Sequence, residues 1–211
     1  MEAPNMKLNT IFHAMQYGLV FNVILARLAK IGVKVELFYI VLEGDYNGEP
    51  QWNNEFSEYE ISFLEPPDLD EVARTHPWTT LEKLHERLSQ GHLCLALKFN
   101  NKIAAYTWTD LKECNHKPYP FSLKGHEAYL YDAFTLPEFR GKGLAPFMRY
   151  ECYQALKSTG RKTFYSISEY TNSPSIKFKS KLNAKFYKLC LCISLGKGAR
   201  KQFILKDRSL D

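Results

Sequence analysis

Residues 137–145, Pro-Glu-Phe-Arg-Gly-Lys-Gly-Leu-Ala, carry the spacing in this chain that suits a defined chemistry. Gly141 and Gly143 alternate with Arg140 and Lys142 at the start of a stretch, 144–158, that reads as a long helix. The first amides of a helix have no intrahelical acceptor and lie at the positive end of its dipole. Such a terminus binds phosphate. Glycine has no Cβ and lets a phosphate approach the backbone closely, and the two cations add charge. A Walker A loop, G-x-x-x-x-G-K-[ST], is absent. A dinucleotide fingerprint is also absent, because Pro146 stands where its last small residue belongs. Two glycines alone also suit a plain strand-to-helix turn, so the loop must be weighed with its surroundings.

The elements around it are legible from periodicity and punctuation. Ile11, Phe12, Met15, Leu19, Val23 and Ala26 give residues 8–30 one apolar helical face, closed by Gly32. Residues 34–42 read as a strand, 44–54 as a loop and 59–65 as a second strand stopped by Pro66-Pro67. Asp68 with Glu71 predicts a capping box for a short helix through Arg74. Thr79 or Thr80 caps the next helix, which Gly91 closes. Strands at 92–99 and 103–110 flank Asn100-Asn101-Lys102, a tight hairpin because Asn tolerates positive φ. A polar loop over 113–126 leads to a strand at 127–136. After the long helix come a strand at 162–168, a helix from Pro174 to about Leu182 capped by Asn172 or Ser173, and strands at 186–195 and 202–206. Mixed hairpins and crossovers predict an α+β sandwich on one central sheet.

Charge divides along the chain. Residues 140–211 hold 16 Lys/Arg against 4 Asp/Glu, net +12, whereas residues 1–139 are net −7. A basic third fits an anionic partner such as a phosphorylated cofactor, and a solvated face fits as well. With 45% apolar residues, disorder is not expected. Cys94, Cys114, Cys152, Cys190 and Cys192 show no CxxC pairing and read as reduced buried thiols, so no metal site is expected. The six histidines are scattered without metal spacing and read as structural. There is no leader pattern, and the apolar run 17–29 is too short to span a bilayer. A cytoplasmic location follows as an expectation. No RNP-like pattern appears, so no specific nucleic-acid partner is expected.

With the flanking elements in place, Pro137-Glu138-Phe139-Arg140-Gly141-Lys142-Gly143-Leu144-Ala145 resembles the signature loop of the GNAT superfamily of N-acetyltransferases, Arg/Gln-x-x-Gly-x-Gly/Ala. Asn172-Ser173-Pro174-Ser175-Ile176-Lys177-Phe178-Lys179 is similar to the family's second motif, matching its Asn, small residue and aromatic. The resemblance covers roughly residues 59–206, giving an acyltransferase domain over 59–211 behind a helix-strand extension over 1–58. It implies a mixed, mostly antiparallel sheet splayed in the middle with helices on both faces. It also implies direct transfer of an acetyl group from acetyl-CoA to a primary amine, the acceptor being unspecified. Arg140, Gly141, Lys142, Gly143, Leu144 and Ala145 would hold the CoA diphosphate. Ala133, Phe134 and Thr135 would pair with the pantetheine arm as an extra strand would, and Asn172 would reach it from the following helix.

Acyl transfer to an amine needs a group that removes a proton, a donor for the developing oxyanion and a favourable place for the leaving thiolate. By the resemblance, Glu127 stands at the general-base position of the histone-acetyltransferase branch. Asp132, closer to the expected thioester, is the alternative, and Glu169 a third. Regular alternation predicts that Glu127 and Asp132 face opposite sides, with Tyr129, Tyr131 and Ala133 sharing the Glu127 face. The chain departs from the family at the acid, where Lys179 replaces the usual Tyr and would meet a phosphate or solvent; Tyr170 or Tyr131 would substitute. That departure keeps a catalytically inactive CoA-binding or partner-binding protein open as the alternative. For the N-terminal helix, packing on the core stands beside a homodimer interface, a lid over the acceptor site and membrane contact.

Overall fold

The computed structural model describes residues 19–44, 50–52, 56–76, 79–196 and 199–208. The expected helix over 8–30 is described from Leu19, and its first part lies outside these residues. The elements, in chain order, are α1 (Leu19–Lys30), β1 (Val33–Glu43), β2 (Glu60–Phe63), α2 (Leu69–Thr75), α3 (Leu81–Ser89), β3 (Leu93–Phe99), β4 (Lys102–Asp110), β5 (Glu113–Cys114), β6 (Phe121–Ser122), β7 (Glu127–Thr135), α4 (Leu144–Ser158), β8 (Thr163–Glu169), α5 (Ser173–Lys181), β9 (Lys185–Leu195) and β10 (Ala199–Asp207). Short 3₁₀ turns at Pro66–Asp68 and Pro137–Phe139 precede α2 and the glycine loop. Among the described residues, no helix is long and apolar enough to cross a membrane.

The chain divides into two compact units. The larger comprises Leu42–Ser166 and Phe178–Lys185. Its strands follow the order β8-β7-β4-β3-β2. The β2–β3, β3–β4 and β4–β7 pairs are antiparallel, and β7–β8 is parallel. This is the mixed sheet the sequence predicts. The β3–β4 turn places Asn100 and Asn101 at φ 49° and 61°, the left-handed region that Asn tolerates. On one sheet face α4 packs Cys152, Tyr153 and Leu156 against Ala128, Leu130 and Phe164. Leu69 and Val72 of α2 and Leu84 of α3 share a core with Tyr106 and Trp108. Trp108 opposes Tyr131 and Thr109 opposes Leu130, so these two clusters use opposite faces.

The smaller unit comprises the described residues of Met1–Val41, Ile167–Lys177 and Phe186–Asp211. Its strand order is β10-β9-β1-β8, with β9 and β10 antiparallel. The Gly196 amide donates to the Gly32 carbonyl at 2.8 Å, joining the turn after β9 to the turn after α1. β10 runs longer than the expected 202–206 and is exposed along its length.

Two local expectations are corrected. The capping box lies one turn early: Glu65 caps the 3₁₀ turn, and its amide donates to Asp68 Oδ2 at 2.9 Å. Asp68 also holds Lys98, at 2.7 Å, while Glu71 accepts from the Ile103 amide at 3.0 Å. The polar stretch 113–126 contains a small hairpin, β5 with β6. Asp110 Oδ1 nucleates it by accepting from the amides of Lys112 and Glu113, at 2.8 and 3.1 Å.

All five cysteines are free and buried. Burial raises the Cys94 and Cys190 thiols, and raises those of Cys114 and Cys152 to about 11. A raised folded pKa contributes stability below the unfolded value, about 8.5, and that stability is lost as pH rises toward the folded value. Unfolding free energy is therefore expected to fall from about pH 8.5 upward, each thiol adding at most about 1.4 kcal/mol per pH unit. Urea titrations between pH 7 and 10.5 check this. A flat profile would contradict the buried-thiol reading.

Candidate active site

β7 is hydrogen-bonded differently along its two edges. On one side it pairs with β4 over most of its length. On the other, its ladder with β8 comprises Glu127–Thr163, Ala128–Phe164 and Tyr129–Tyr165, and β7 continues beyond it to Thr135. The splay expected from the sequence thus begins after Tyr129 and Tyr165. Backbone amides along an unpaired edge need a partner, and an extended chain supplies one in the way an added strand does.

At the end of that edge the chain enters the glycine loop. Gly141 and Gly143 sit at φ 80° and 82°, a conformation costly for a residue with a Cβ. Gly143 is the N-cap of α4, and no side chain caps the helix. Pro146 lies in the first turn, where a missing amide costs no intrahelical bond. Phe139 and Phe147, before and after the loop, are buried at 8% exposure each and anchor it. Phe147 stacks on Phe56 at 4.3 Å, and Phe139 meets Phe99 edge-on at 6.1 Å. Arg140 is fixed by its Nε donating to the Thr135 carbonyl at 3.0 Å, with its guanidinium over Phe134. The Lys142 ammonium lies over Phe139. The strand residues Ala133–Thr135 thus lead, through the 3₁₀ turn Pro137–Phe139, into the loop residues Arg140–Ala145.

Asp132 breaks the alternation of β7. Its φ is 49°, and the β4–β7 register shifts between Tyr106 and Trp108. Tyr106 opposes Phe134 and Trp108 opposes Tyr131, so one extra residue is accommodated on β7. This is a β-bulge, and it reverses the parity beyond it. The expectation that Glu127 and Asp132 face opposite sides is overturned. Asp132 accepts from Arg87 Nη1 at 2.6 Å, and Arg87 lies over the rings of Trp108 and Tyr131, on the face that Glu127 shares by spacing. Ala133 leaves that face for the same reason, and it is exposed.

The two carboxylates differ in surroundings. Glu127 is 8% exposed at the paired end of β7. Its Oε2 accepts from the Lys124 amide at 2.8 Å, and its Oε1 lies 3.4 Å from the Tyr165 hydroxyl. Six residue steps along the strand take it to Ala133, about 20 Å. Asp132 stands in the bulge with a side-chain exposure of 23%. His76 Nε2 approaches its Oδ1 at 4.0 Å, while His76 Nδ1 meets the Tyr106 hydroxyl and its ring stacks on Phe134 at 4.5 Å. Burial lowers the His76 pKa below 6.5, against the opposing pull of Asp132, so the imidazole is neutral at pH 7. A second imidazole repeats the pattern. His92 joins the Tyr131 hydroxyl, at 2.6 Å, to the buried Asp110 carboxylate, at 3.3 Å, and burial lowers its pKa too.

Neither histidine stands at a recognisable spacing, and both were expected to be merely structural. Each is buried between a carboxylate and a tyrosine, drawn from elements far apart in sequence. Tyr170 lies in the smaller unit, 46% exposed and stacked on Tyr39 at 5.7 Å. Asn172 Oδ1 accepts from the Ser175 amide at 3.1 Å, capping α5.

Lys179 does not reach solvent, correcting that part of the sequence expectation. It is 2% exposed and donates to Ser166 Oγ at 2.7 Å. Its Nζ is 3.6 Å from Glu43, which also accepts from the Tyr153 hydroxyl at 2.5 Å and faces Arg149 Nε at 3.5 Å. Helix phase was the available signal for Arg149, which lies three and four residues before the buried Cys152 and Tyr153.

Comparison with known proteins agrees with this geometry. The acetyltransferase (GNAT) family profile matches residues 51–183. No curated protein matches the chain by sequence. Among solved structures, a GNAT-family protein from Novosphingobium aromaticivorans superposes with a TM-score of 0.53 at 16% identity, over 80% of this chain and 69% of that one. A Drosophila protein superposes with a TM-score of 0.57 at 13% identity, over 86% of this chain and 59% of its own. A GNAT-family acetyltransferase from Colwellia psychrerythraea gives 0.57 at 11% identity, over 77% and 57%. The chain thus spans under two thirds of the length of the latter two, and all three likenesses are of fold. With the profile covering the glycine loop, the bulged strand and the start of the splay, the chain belongs to the GNAT acetyltransferase family.

Proposed function

We propose that this protein transfers an acetyl group from acetyl-CoA to a primary amine. The observation that carries the reading is the edge of β7: unpaired past Tyr129, and leading directly into two positive-φ glycines at an uncapped helix start. In this reading the amides of Arg140–Ala145 hold the diphosphate, and Ala133, Phe134 and Thr135 pair with the pantetheine arm. Arg140 and Lys142 contribute charge. The acyl carbon then lies near the bulge, where a backbone amide freed from the ladder can donate to the developing oxyanion.

The attacking amine must lose a proton. Asp132 is the base in this reading, because it stands at the bulge with a neutral imidazole beside it. Glu127 is held at the other end of the strand by donors of its own. Tyr170, in the smaller unit, has no role in this reading.

Calorimetric titration with CoA tests the cofactor half, and thiol release across an amine library tests the chemistry. Gly143→Val forces a Cβ into a left-handed position and into the path of the diphosphate. It is expected to weaken CoA binding by about 100-fold, about 2.7 kcal/mol. Undiminished binding in that variant would remove the loop from the site. CoA binding without thiol release for any amine would favour a non-catalytic CoA-binding protein.

A further inference from the structure

An ion pair lies where the acceptor must arrive. The β7–β8 ladder ends at Tyr129, the vertex of the splay. Asp132 stands beyond it in the bulge, and its Oδ2 accepts from Arg87 Nη1 of α3 at 2.6 Å. The side chains of Arg87 and Asp132 are 25% and 23% exposed, so both are open to a solute. A partly exposed pair adds little to stability, so the fold alone does not account for it. A bulge re-aims a side chain, and left-handed positions held by their surroundings cluster where ligands are clamped.

Arg87 is supported as a receptor for an anion would be. Its guanidinium lies over the rings of Trp108 and Tyr131, at 5.1 and 5.2 Å. Trp108 is fully buried, and the Tyr131 hydroxyl is anchored by His92 at 2.6 Å. Among the described residues the Arg87 side chain donates one hydrogen bond, to Asp132. A guanidinium carries five donors in a fork that matches a carboxylate bidentately, so donors remain for a second anion. Asp132 keeps Oδ1, which His76 Nε2 approaches only to 4.0 Å. That imidazole is neutral at pH 7, because burial lowers its pKa below 6.5, and it does not take a cation's place there.

The spacing of the two charges defines a ligand class. Cation and anion meet at 2.6 Å. In an α-amino acid the ammonium nitrogen and the carboxylate carbon are about 2.5 Å apart. Laid beside the pair with opposite polarity, one such molecule meets Arg87 with its carboxylate and Asp132 with its ammonium. A plain ammonium meets Asp132 only by bringing a second cation against Arg87, a like-charge contact that works against it.

We infer that the acceptor is a free α-amino acid, its carboxylate held by Arg87 and its ammonium by Asp132. This rests on the acyl-CoA reading above. The arriving carboxylate draws the guanidinium from Asp132 Oδ2, which then takes one proton from the ammonium and passes it to solvent. The neutral nitrogen attacks the thioester carbonyl carbon, and the C–N bond forms. The C–S bond breaks with its electron pair going to sulfur. The proton that nitrogen sheds on becoming an amide goes to sulfur, giving CoA thiol and an N-acetyl amino acid. Arg87 sets the specificity, and Asp132 remains the base.

The test measures thiol release from acetyl-CoA with each common L-amino acid and with its primary amide, beside calorimetric titration with CoA. An amide lacks the neighbouring carboxylate that favours the ammonium form, so ionisation alone would favour the amide. The wild type is instead expected to prefer at least one amino acid over its amide by about 100-fold in kcat/KM, the effect of one charge-assisted pair. Arg87→Gln should bring that ratio to within about threefold, chiefly through the KM of the amino acid. Arg87→Lys keeps the charge without the fork. It should leave an intermediate ratio of about 10-fold, and it supplies the readout where Arg87→Gln does not fold. Three results overturn the acceptor assignment while leaving the acyl-CoA reading in place: amides used as well as amino acids, no release from any amino acid by a protein that binds CoA, or a preference that survives in Arg87→Gln. Failure to bind CoA overturns the acyl-CoA reading itself.

Discussion

Glu43→Gln is expected to cost the fold about 3–5 kcal/mol, the usual penalty for removing one partner from a buried ion pair. The carboxylate is fully buried and faces both Arg149 and Lys179. Burial works to raise its pKa, yet Arg149, Lys179 and the hydroxyls of Ser166 and Tyr153 together hold it below the ordinary carboxylate range. Glutamine keeps the shape and an acceptor for Tyr153 but removes the charge that faces both buried cations. For a chain of this size the loss amounts to about 10 °C or more in Tm.

Two signatures separate this from ordinary cavity formation. In Glu43→Gln/Lys179→Met one cation has gone with the anion, so its loss should be smaller than that of Glu43→Gln alone. Two independent packing defects would add instead. The deficit of Glu43→Gln should also shrink as pH rises. A lysine with a depressed folded pKa binds fewer protons folded than unfolded, so stability rises with pH between the folded value and about 10.4. That window opens at about 8 in the wild type, and lower once Glu43 no longer supports the ammonium. Urea unfolding of the three proteins from pH 6 to 9 measures both effects. A Glu43→Gln loss under about 1 kcal/mol, constant with pH, would show that the cluster carries little charge.

The same cluster marks how far the sequence could be read. The loop Arg140–Ala145, the Asn100-Asn101 turn and the order of helices and strands were legible because each depends on neighbours in sequence. A glycine's φ or a helix cap is decided within a few residues. Glu43 ends an otherwise apolar strand, and Arg149 lies on the buried stripe of α4. Each is a local oddity, but only tertiary contact joins them to Lys179. His76 and His92 gave no local signal at all: Tyr106 and Asp132 lie far along the chain from one, Tyr131 and Asp110 from the other. The bulge at Asp132 was hidden for a different reason. Nothing in EAYLYDAFT breaks alternation of residue types, because aspartate is as ordinary on one face as on the other. A one-residue insertion in a ladder is a property of the partner strand as well. Every inference that counted by twos past Tyr131 inherited that error, including the opposed faces of Glu127 and Asp132.

Asp132→Asn exploits the bulge as a control. Asparagine accepts left-handed backbone as readily as aspartate, so φ 49° at this position is preserved. The ion pair with Arg87 is partly exposed, 23% and 25% on the two sides, and its loss costs about 1 kcal/mol or less. The fold therefore survives and the proton acceptor does not. With an amine found by thiol release, kcat is expected to fall about 10²- to 10⁴-fold, the range for removing a general base. CoA affinity should be unchanged, since the loop and the unpaired edge of β7 are untouched. Glu127→Gln is the matched comparison and should stay within about twofold of wild-type turnover, because its carboxylate is held by Lys124 and lies at the zipped end of the strand. The imidazole next door reports independently. Asp132 raises the His76 pKa against the larger effect of burial, so the His76 midpoint followed by proton NMR should drop in Asp132→Asn. Turnover within threefold of wild type in Asp132→Asn, together with a large loss in Glu127→Gln, would move the base to the paired end of β7. The acyl carbon would then have to lie much nearer the vertex than the bulge.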